Sequence, residues 1–346
     1  MQLEPDEGDP DWTRPGVFEV APGVFRIPLP LPTDGLRAVN VYALAGADGV
    51  VLVDSGWAIA EAREALARAL DVLGHGVPDI RRFLVTHVHR DHYALAVAVR
   101  REFGNTVSLG VGEKATIDAL ASTDREQLGR HRYQLVRAGA AGILEWLRQQ
   151  AASLEHDPAD WQGPDDWLID GADLDLPTRT LRVVATPGHT RGHVVFVDTA
   201  ADLLFAGDHV LPHITPSIGF EAVPGPLPLR DYMDSLRLMR HLPDRRLLPA
   251  HGPVSPSVHA RVDELLDHHV RRLDQAYAAV GPDGASSYEV ANRLTWTRRA
   301  RAFADLDPFN QMLAVTETAA HLDVLVVQGR LTETTDDKDV CHYSFV

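Results

Sequence analysis

The segment Thr86–His92 reads THVHRDH and places His87, His89, Asp91 and His92 within six residues, directly after the apolar run RRFLV. Neutral imidazole and carboxylate are the ligand types of zinc, and also of manganese and iron. A lone H-x-H is commonly a solvated turn. Three imidazoles and a carboxylate at the end of an apolar strand are a far more specific pattern for a metal site. Three further pieces follow in chain order. TPGHTRGH supplies His189 after LRVVA, FAGDH supplies Asp208 after ADLLF, and LLPAHGP supplies His251 after RRLL. Each sets a metal-ligand type beside glycine or proline where a strand ends. Loops at one end of a rigid scaffold are where site residues gather.

The elements that must position these residues are legible as patterns. GVFRIPLPLP, VNVYALAG and GVVLVDSG read as successive strands with turn residues between them. Helical spacing of Ala and Leu is expected over Glu61–Leu73, over Tyr93–Phe103 up to Gly104, over Asp231–His241 and over Val258–Val280. From about residue 115 to 167 a helical stretch rich in Leu, Ala, Ile and Trp interrupts the strand series. It reads as an insertion that either forms a lid over an apolar acyl or ring substrate or packs onto the core. Residues 1–16 read as a flexible acidic tail, and residues 257–346 as a small, mainly helical domain of helix-turn-helix or winged-helix type. The order of strands and helices, without regular βαβ alternation, predicts an α+β fold of two sheets flanked by helices.

Charge and composition narrow the partners. Lys and Arg number 33 against 49 Asp and Glu, a net charge of −16. That balance disfavours nucleic acid and anionic membranes. From Asp267 onward there are eight basic against twelve acidic residues, and the expected third helix, Asn310–Gln328, has no Lys or Arg. Such a helix lacks the usual phosphate contacts, although Arg293, Arg298, Arg299 and Arg301 form a small basic patch. Cys341 is the only cysteine, so neither an intrachain disulfide nor a thiolate cluster forms, which suits a reducing cytoplasm. The acidic opening is unlike a signal peptide, and no apolar run approaches membrane-spanning length.

The set DSG, HxHxDH, TPGHTxGH, GDH and AHG resembles the metallo-β-lactamase superfamily over about Val17 to Pro253, within a domain expected to span residues 17–256. The resemblance implies a four-layer αββα sandwich. It implies two divalent metal ions, zinc first and manganese or iron as alternatives. One would be held by His87, His89 and His189, the other by Asp91, His92 and His251, with Asp208 bridging them. Asp91–His92 is similar to the hydrolase branch that includes glyoxalase II, lactonases and RNA-processing enzymes. The C-terminal segment is similar to the winged-helix domain appended to lactamase-β-like hydrolases, with a packing, lid or homodimerisation role. The chemistry implied is attack by a metal-bridging hydroxide, oriented by Asp91, on a small-molecule ester, thioester or lactone.

Around that set, Asp54 is expected to accept the outer N–H of a ligand histidine. His193 is expected to be a buried brace of the ligand loop, and Thr86 and Thr190 to bond the backbone. Tyr93, His209 and His213 are candidate substrate contacts because each lies near a ligand in the chain. Three other readings stay open: a phosphodiesterase or ribonuclease, an iron-dependent persulfide dioxygenase using His87, His189 and Asp208, and a non-catalytic metal-binding regulator.

Overall fold

The computed structural model of the chain describes residues 3–6, 11–32, 35–122, 127–151 and 158–346. The first strands are β1 (Leu3–Pro5), β2 (Val17–Ala21), β3 (Val24–Pro30), β4 (Ala38–Gly46), β5 (Gly49–Val53), β6 (Ile80–Val85), β7 (Thr106–Gly110) and β8 (Asp166–Leu168), and they form one sheet in chain order. Strands β9 (Asp173–Asp175), β10 (Thr180–Ala185), β11 (Val194–Asp198), β12 (Leu203–Gly207) and β13 (Arg246–Pro249) form a second sheet in the order β13-β12-β11-β10-β9. The helices are α1 (Ala60–Val72), α2 (Arg90–Phe103), α3 (Lys114–Ala121), α4 (Gln127–Arg137), α5 (Ala141–Ala151), α6 (Pro228–His241), α7 (Val258–Val280), α8 (Ser287–Arg293) and α9 (Pro308–Val327).

Side-chain alternation sets the layers. In β4, Val39, Val41 and Ala43 pack with Leu66 and Leu70 of α1 and Leu95 of α2. Tyr42 and Leu44, on the opposite face, meet Leu181, Phe196 and Phe205 of the second sheet. The far face of that sheet, with Val195, Val197 and Leu204, packs on Leu229 and Leu236 of α6 and Val262 of α7. The result is helix, sheet, sheet, helix. Parallel pairing joins β5 to β6 and β12 to β13, so the C-terminal ends of these strands open at a common edge. Asp54, His87, Asp208 and His251 all leave from those ends.

Among the described residues the long insertion comprises α3, α4, α5 and a 3-10 turn, Pro158–Trp161. Leu135, Ile143 and Leu147 are buried in one cluster with Val315, Leu322 and Leu325 of α9. The apolar residues of α4 and α5 therefore pack on the C-terminal helices, while Ile117 of α3 and Trp161 lie in the cluster with α1 and α2. Parts of the expected helical stretch, 123–126 and 152–157, lie outside the described residues. The same cluster runs from the second sheet through α6 and α7 into α9, so no break in the core falls at residue 257. Beyond α7 the chain adds α8, α9 and a small sheet of β14 (Ala285–Ser286), β17 (Leu331–Thr335) and β18 (Cys341–Phe345), and the short hairpin β15 (Thr295–Trp296) and β16 (Arg301–Ala302). Arg293 donates to the carbonyls of Ala279 and Val280 and so closes α7, while Arg298, Arg299 and Arg301 are exposed on or beside the hairpin.

The expectation of a free acidic tail is corrected. β1 pairs in parallel with β2. Arg26, only 1% exposed, donates through Nε to Asp6 at 2.6 Å and through Nη1 to the Trp12 carbonyl at 2.8 Å. A guanidinium buried in a sheet needs a counter-charge, and the acidic segment supplies it. Residues 1, 2 and 7–10 lie outside the described residues. Among the described residues no helix is long and apolar enough to cross a membrane.

Candidate metal centre

β6 ends at Val85, and α2 begins at Arg90 with His89 as its N-cap, earlier than the periodicity predicts. His87 and His89 thus sit in the connection, whereas Asp91 and His92 occupy the first helical turn. Gly104 closes the helix in the left-handed conformation at φ +75°.

Two donor groups form. In the first, His87, His89, His189 and Asp208 each offer an atom within 4.8 Å of the others. His89 Nδ1 is 2.9 Å from His87 Nε2 and 3.0 Å from His189 Nε2, and Asp208 Oδ2 is 3.4 Å from His189 Nε2. The second is Asp91, His92 and His251. Asp91 Oδ2 is 3.3 Å from His251 Nε2 and 3.6 Å from His92 Nε2. The other Asp208 oxygen, Oδ1, lies 3.5 Å from His251 Nε2 and 3.6 Å from His92 Nε2. One carboxylate thus faces both groups.

These residues fit divalent cations. Donors at about 2.1 Å on a tetrahedron would stand roughly 3.4 Å apart, close to the spacings seen. His92 Nε2, His251 Nε2 and Asp208 Oδ1 are buried with no hydrogen-bond partner among the described residues. Buried polar atoms are normally satisfied, so three orphans aimed at one point call for a ligand. The outer ring nitrogens of His87, His92, His189 and His251 are held, whereas His89 turns Nδ1 inward and its buried Nε2 has no hydrogen-bond partner among the described residues. His92 Nδ1 donates to Asp54 Oδ2 at 2.9 Å, His189 Nδ1 to the Ser217 carbonyl at 2.8 Å and His251 Nδ1 to the Ala38 carbonyl at 2.8 Å. His87 Nδ1 donates to Thr86 Oγ1 at 3.1 Å, and that hydroxyl donates to Asp54 Oδ1 at 2.9 Å. Fixing a proton on each of these Nδ1 atoms leaves a lone pair on each Nε2 pointing inward.

The electrostatics separate the groups. Burial, then the neighbouring imidazoles, hold His87 well below the usual histidine range. Burial first, with His189 beside it, brings His89 down to about 3. Burial also opposes charge on His92, but Asp91, Asp54 and Asp208 outweigh it and hold the ring up to about 10. His251 is raised too, by Asp208 and Asp91 against its burial. The carboxylates draw positive charge to this point, and a divalent cation satisfies them with the imidazoles neutral.

Around the donors, Asp54 is 2% exposed and adopts φ +60°, while also accepting the Thr86 amide at 2.8 Å. His193 receives the Asp208 amide on Nε2 at 3.2 Å, with Nδ1 against Thr186 Oγ1 at 2.8 Å. Gly207 is required here, because a Cβ would stand 2.6 Å from Thr86 Oγ1 and 2.7 Å from His193 Nε2.

Two of the expected substrate contacts are corrected. Tyr93 is fully buried, and its hydroxyl donates to the Gln162 carbonyl. His209 is fully buried beside Tyr232 and His193. His213 is exposed, and no described contact ties it to the donors.

The structure adds residues that motif reading missed. Asn40 Nδ2 donates to the carbonyls of Pro249 and Gly252 and so fixes both sides of His251, while its Oδ1 accepts from Arg26. Glu113 is wholly buried; it accepts Thr190 Oγ1 and, at 3.4 Å, the Val88 amide, which lies between His87 and His89. Glu221 accepts the Arg191 amide at 2.9 Å and Thr116 Oγ1 at 2.8 Å. Two buried carboxylates thereby pin the loop carrying His189. In sequence Glu113 stands between the strand TVSLG and the helical insertion with no local mark of burial.

Residues 34–251 match the metallo-beta-lactamase superfamily, and the chain belongs to it. It is similar to the probable metallo-hydrolase YqjP of Bacillus subtilis, at 24% identity over 89% of this chain and 93% of that protein. It is similar to the atrochrysone carboxyl ACP thioesterase AacuM of Aspergillus aculeatus, at 28% identity over 49% of this chain and 64% of that protein. The crystal structure of a metallo-beta-lactamase family protein from Thermus thermophilus, TTHA1429, superposes with a TM-score of 0.80 at 28% identity, over 95% of this chain and all of that one.

Proposed function

We propose that this protein hydrolyses a carboxylic ester, thioester or lactone of a small molecule with two divalent metal ions, zinc foremost. The observation that carries the reading is Asp208, whose two oxygens face two separate donor groups. His87, His89 and His189 would hold one ion, and Asp91, His92 and His251 the other, with Asp208 between them. When bound, such ions lower the pKa of water from 15.7 toward roughly 7 and polarise an acyl carbonyl. Asp91 directs Oδ2 to His251 and is more exposed than Asp208, which leaves Oδ1 to accept a hydrogen bond from attacking water and orient it. Asp54 keeps the His87 and His92 rings from turning. A relative named as an ACP thioesterase supports thioester chemistry.

The C-terminal helices and three-stranded sheet fit a winged-helix-like module that acts as scaffold. α9 packs on α4, α5, α6, α7 and α8, so the helix that would read a nucleic-acid groove is enclosed. A parallel panel of an acyl-thioester, a lactone, a simple ester, a phosphodiester and RNA tests the reading. Cleavage limited to the acyl compounds and lost in Asp208→Ala supports it. Cleavage limited to the phosphodiester or RNA overturns it.

A further inference from the structure

Arg90 lies in the ligand motif, between His89 and Asp91, yet points to neither donor group. Its guanidinium carbon stands over the Trp57 ring at 5.4 Å and the Trp161 ring at 5.7 Å. Trp57 follows the Asp54–Gly56 turn, and Trp161, 5% exposed, ends the 3-10 turn of the insertion, so two segments far apart in the chain meet on one arginine. No acid partner and no hydrogen bond engages that guanidinium among the described residues. Farther along the same helix, Arg100 and Arg101 pair with Asp165 and Asp160. In a chain of net charge −16, a partly buried arginine at the metal loop without an acid partner is unusual, and its charge is available to an anion from outside. Indole faces hold a guanidinium by cation–π attraction while leaving its in-plane N–H donors free. It also stands on the first turn of a 14-residue helix, whose N-terminal dipole favours negative charge.

We propose that Arg90, clasped by Trp57 and Trp161, recognises an oxyanion on the substrate, a carboxylate or phosphate set apart from the bond that breaks. This deepens the hydrolase reading and rests on it. The substrate class is then an anionic ester or thioester, and Arg90 sets specificity while the donor groups carry the reaction.

The test uses full-length, metal-loaded protein and three thioesters. An acyl-N-acetylcysteamine is neutral, an acyl-coenzyme A carries phosphate on the leaving group, and a succinyl-N-acetylcysteamine carries a carboxylate on the acyl group. Wild type should show a lower KM for at least one anionic substrate than for the neutral one. Arg90→Gln should narrow that KM ratio roughly tenfold or more, with Arg90→Lys intermediate and metal content unchanged. The substrate whose advantage collapses identifies phosphate or carboxylate as the anion. Equal KM for all three in wild type overturns the proposal, as does a rise shared equally by all three in Arg90→Gln, which would make the arginine a structural staple. Calorimetric binding of coenzyme A and of succinate needs no turnover. If no thioester is cleaved but Arg90→Gln still weakens one of these ligands roughly tenfold, the hydrolase reading fails and the anion site stands. If neither ligand binds wild type and no thioester is cleaved, both fail.

Discussion

Asp54 Oδ2 lies 2.9 Å from His92 Nδ1, and the aspartate reaches that position with a backbone φ of +60°. The same carboxylate steers His87 through Thr86, so one strained residue sets a ring in each donor group. Aspartate and asparagine tolerate the left-handed region better than other non-glycine residues. Asp54→Asn should therefore keep the fold but present an amide where an acceptor is needed. The expected loss is about 10–100-fold in metal affinity, read by competition with a chelating dye, with an unchanged circular dichroism spectrum. Wild-type affinity in this variant would show that the rings do not depend on Asp54.

The Glu113–Glu221 pair predicts a pH dependence. Burial, with Glu221 as the second cause, pushes Glu113 up to about 8, and burial pushes Glu221 up to about 7. In the unfolded chain both return to the ordinary value of 4.5. Between those values the folded chain binds more protons, so stability is greatest below the unfolded value and falls as pH rises through the folded ones. Relative to Glu113→Gln, the Tm of the metal-free wild-type protein should fall from pH 5 toward about pH 8 by this linkage. Parallel slopes for the two proteins would contradict it.

Close backbone contact also seats the His189 loop. A Cβ on Gly192 would press on the Glu113 amide and stand 2.6 Å from Glu113 Cγ. Gly192→Ala should destabilise the protein by about 1–3 kcal/mol, as overpacking does. Urea unfolding measures the loss, and an unchanged midpoint would mean that the two loops separate easily.

Asp6 and Arg26 have side chains 0% and 1% exposed. Asp6→Ala leaves a buried guanidinium without its counter-charge, at a cost of about 3–5 kcal/mol. Removal of residues 1–16 should lower Tm comparably and loosen His251, because Arg26 also holds Asn40. A truncated protein that melts like the full chain would restore the view of this segment as a free tail.

The donor residues were legible because four crowd into THVHRDH after an apolar strand and the other three each sit at a strand end beside a glycine, a purely local signal. Their supports were not. Asn40 meets Gly252 across more than two hundred residues, and nothing near Glu113 or Glu221 in the chain marks either as buried. Nearness in sequence also misled. Tyr93 is two positions after Asp91, about 200° around a helix, and so turns its ring into the core. Arg90, the variable position of the motif, is about 100° from Asp91 and lies instead over Trp57 and Trp161. The acidic tail failed for the converse reason: composition records its charge, but the buried partner Arg26 is visible only in the folded chain.

The central claim is metal-dependent acyl hydrolysis, and a zinc titration of metal-stripped protein against an acyl-thioester tests it most directly. The account predicts negligible acid release without metal and a rise that levels off near two equivalents. No thioester cleavage at any zinc load would contradict it, and so would full activity from one equivalent of iron with oxygen consumed.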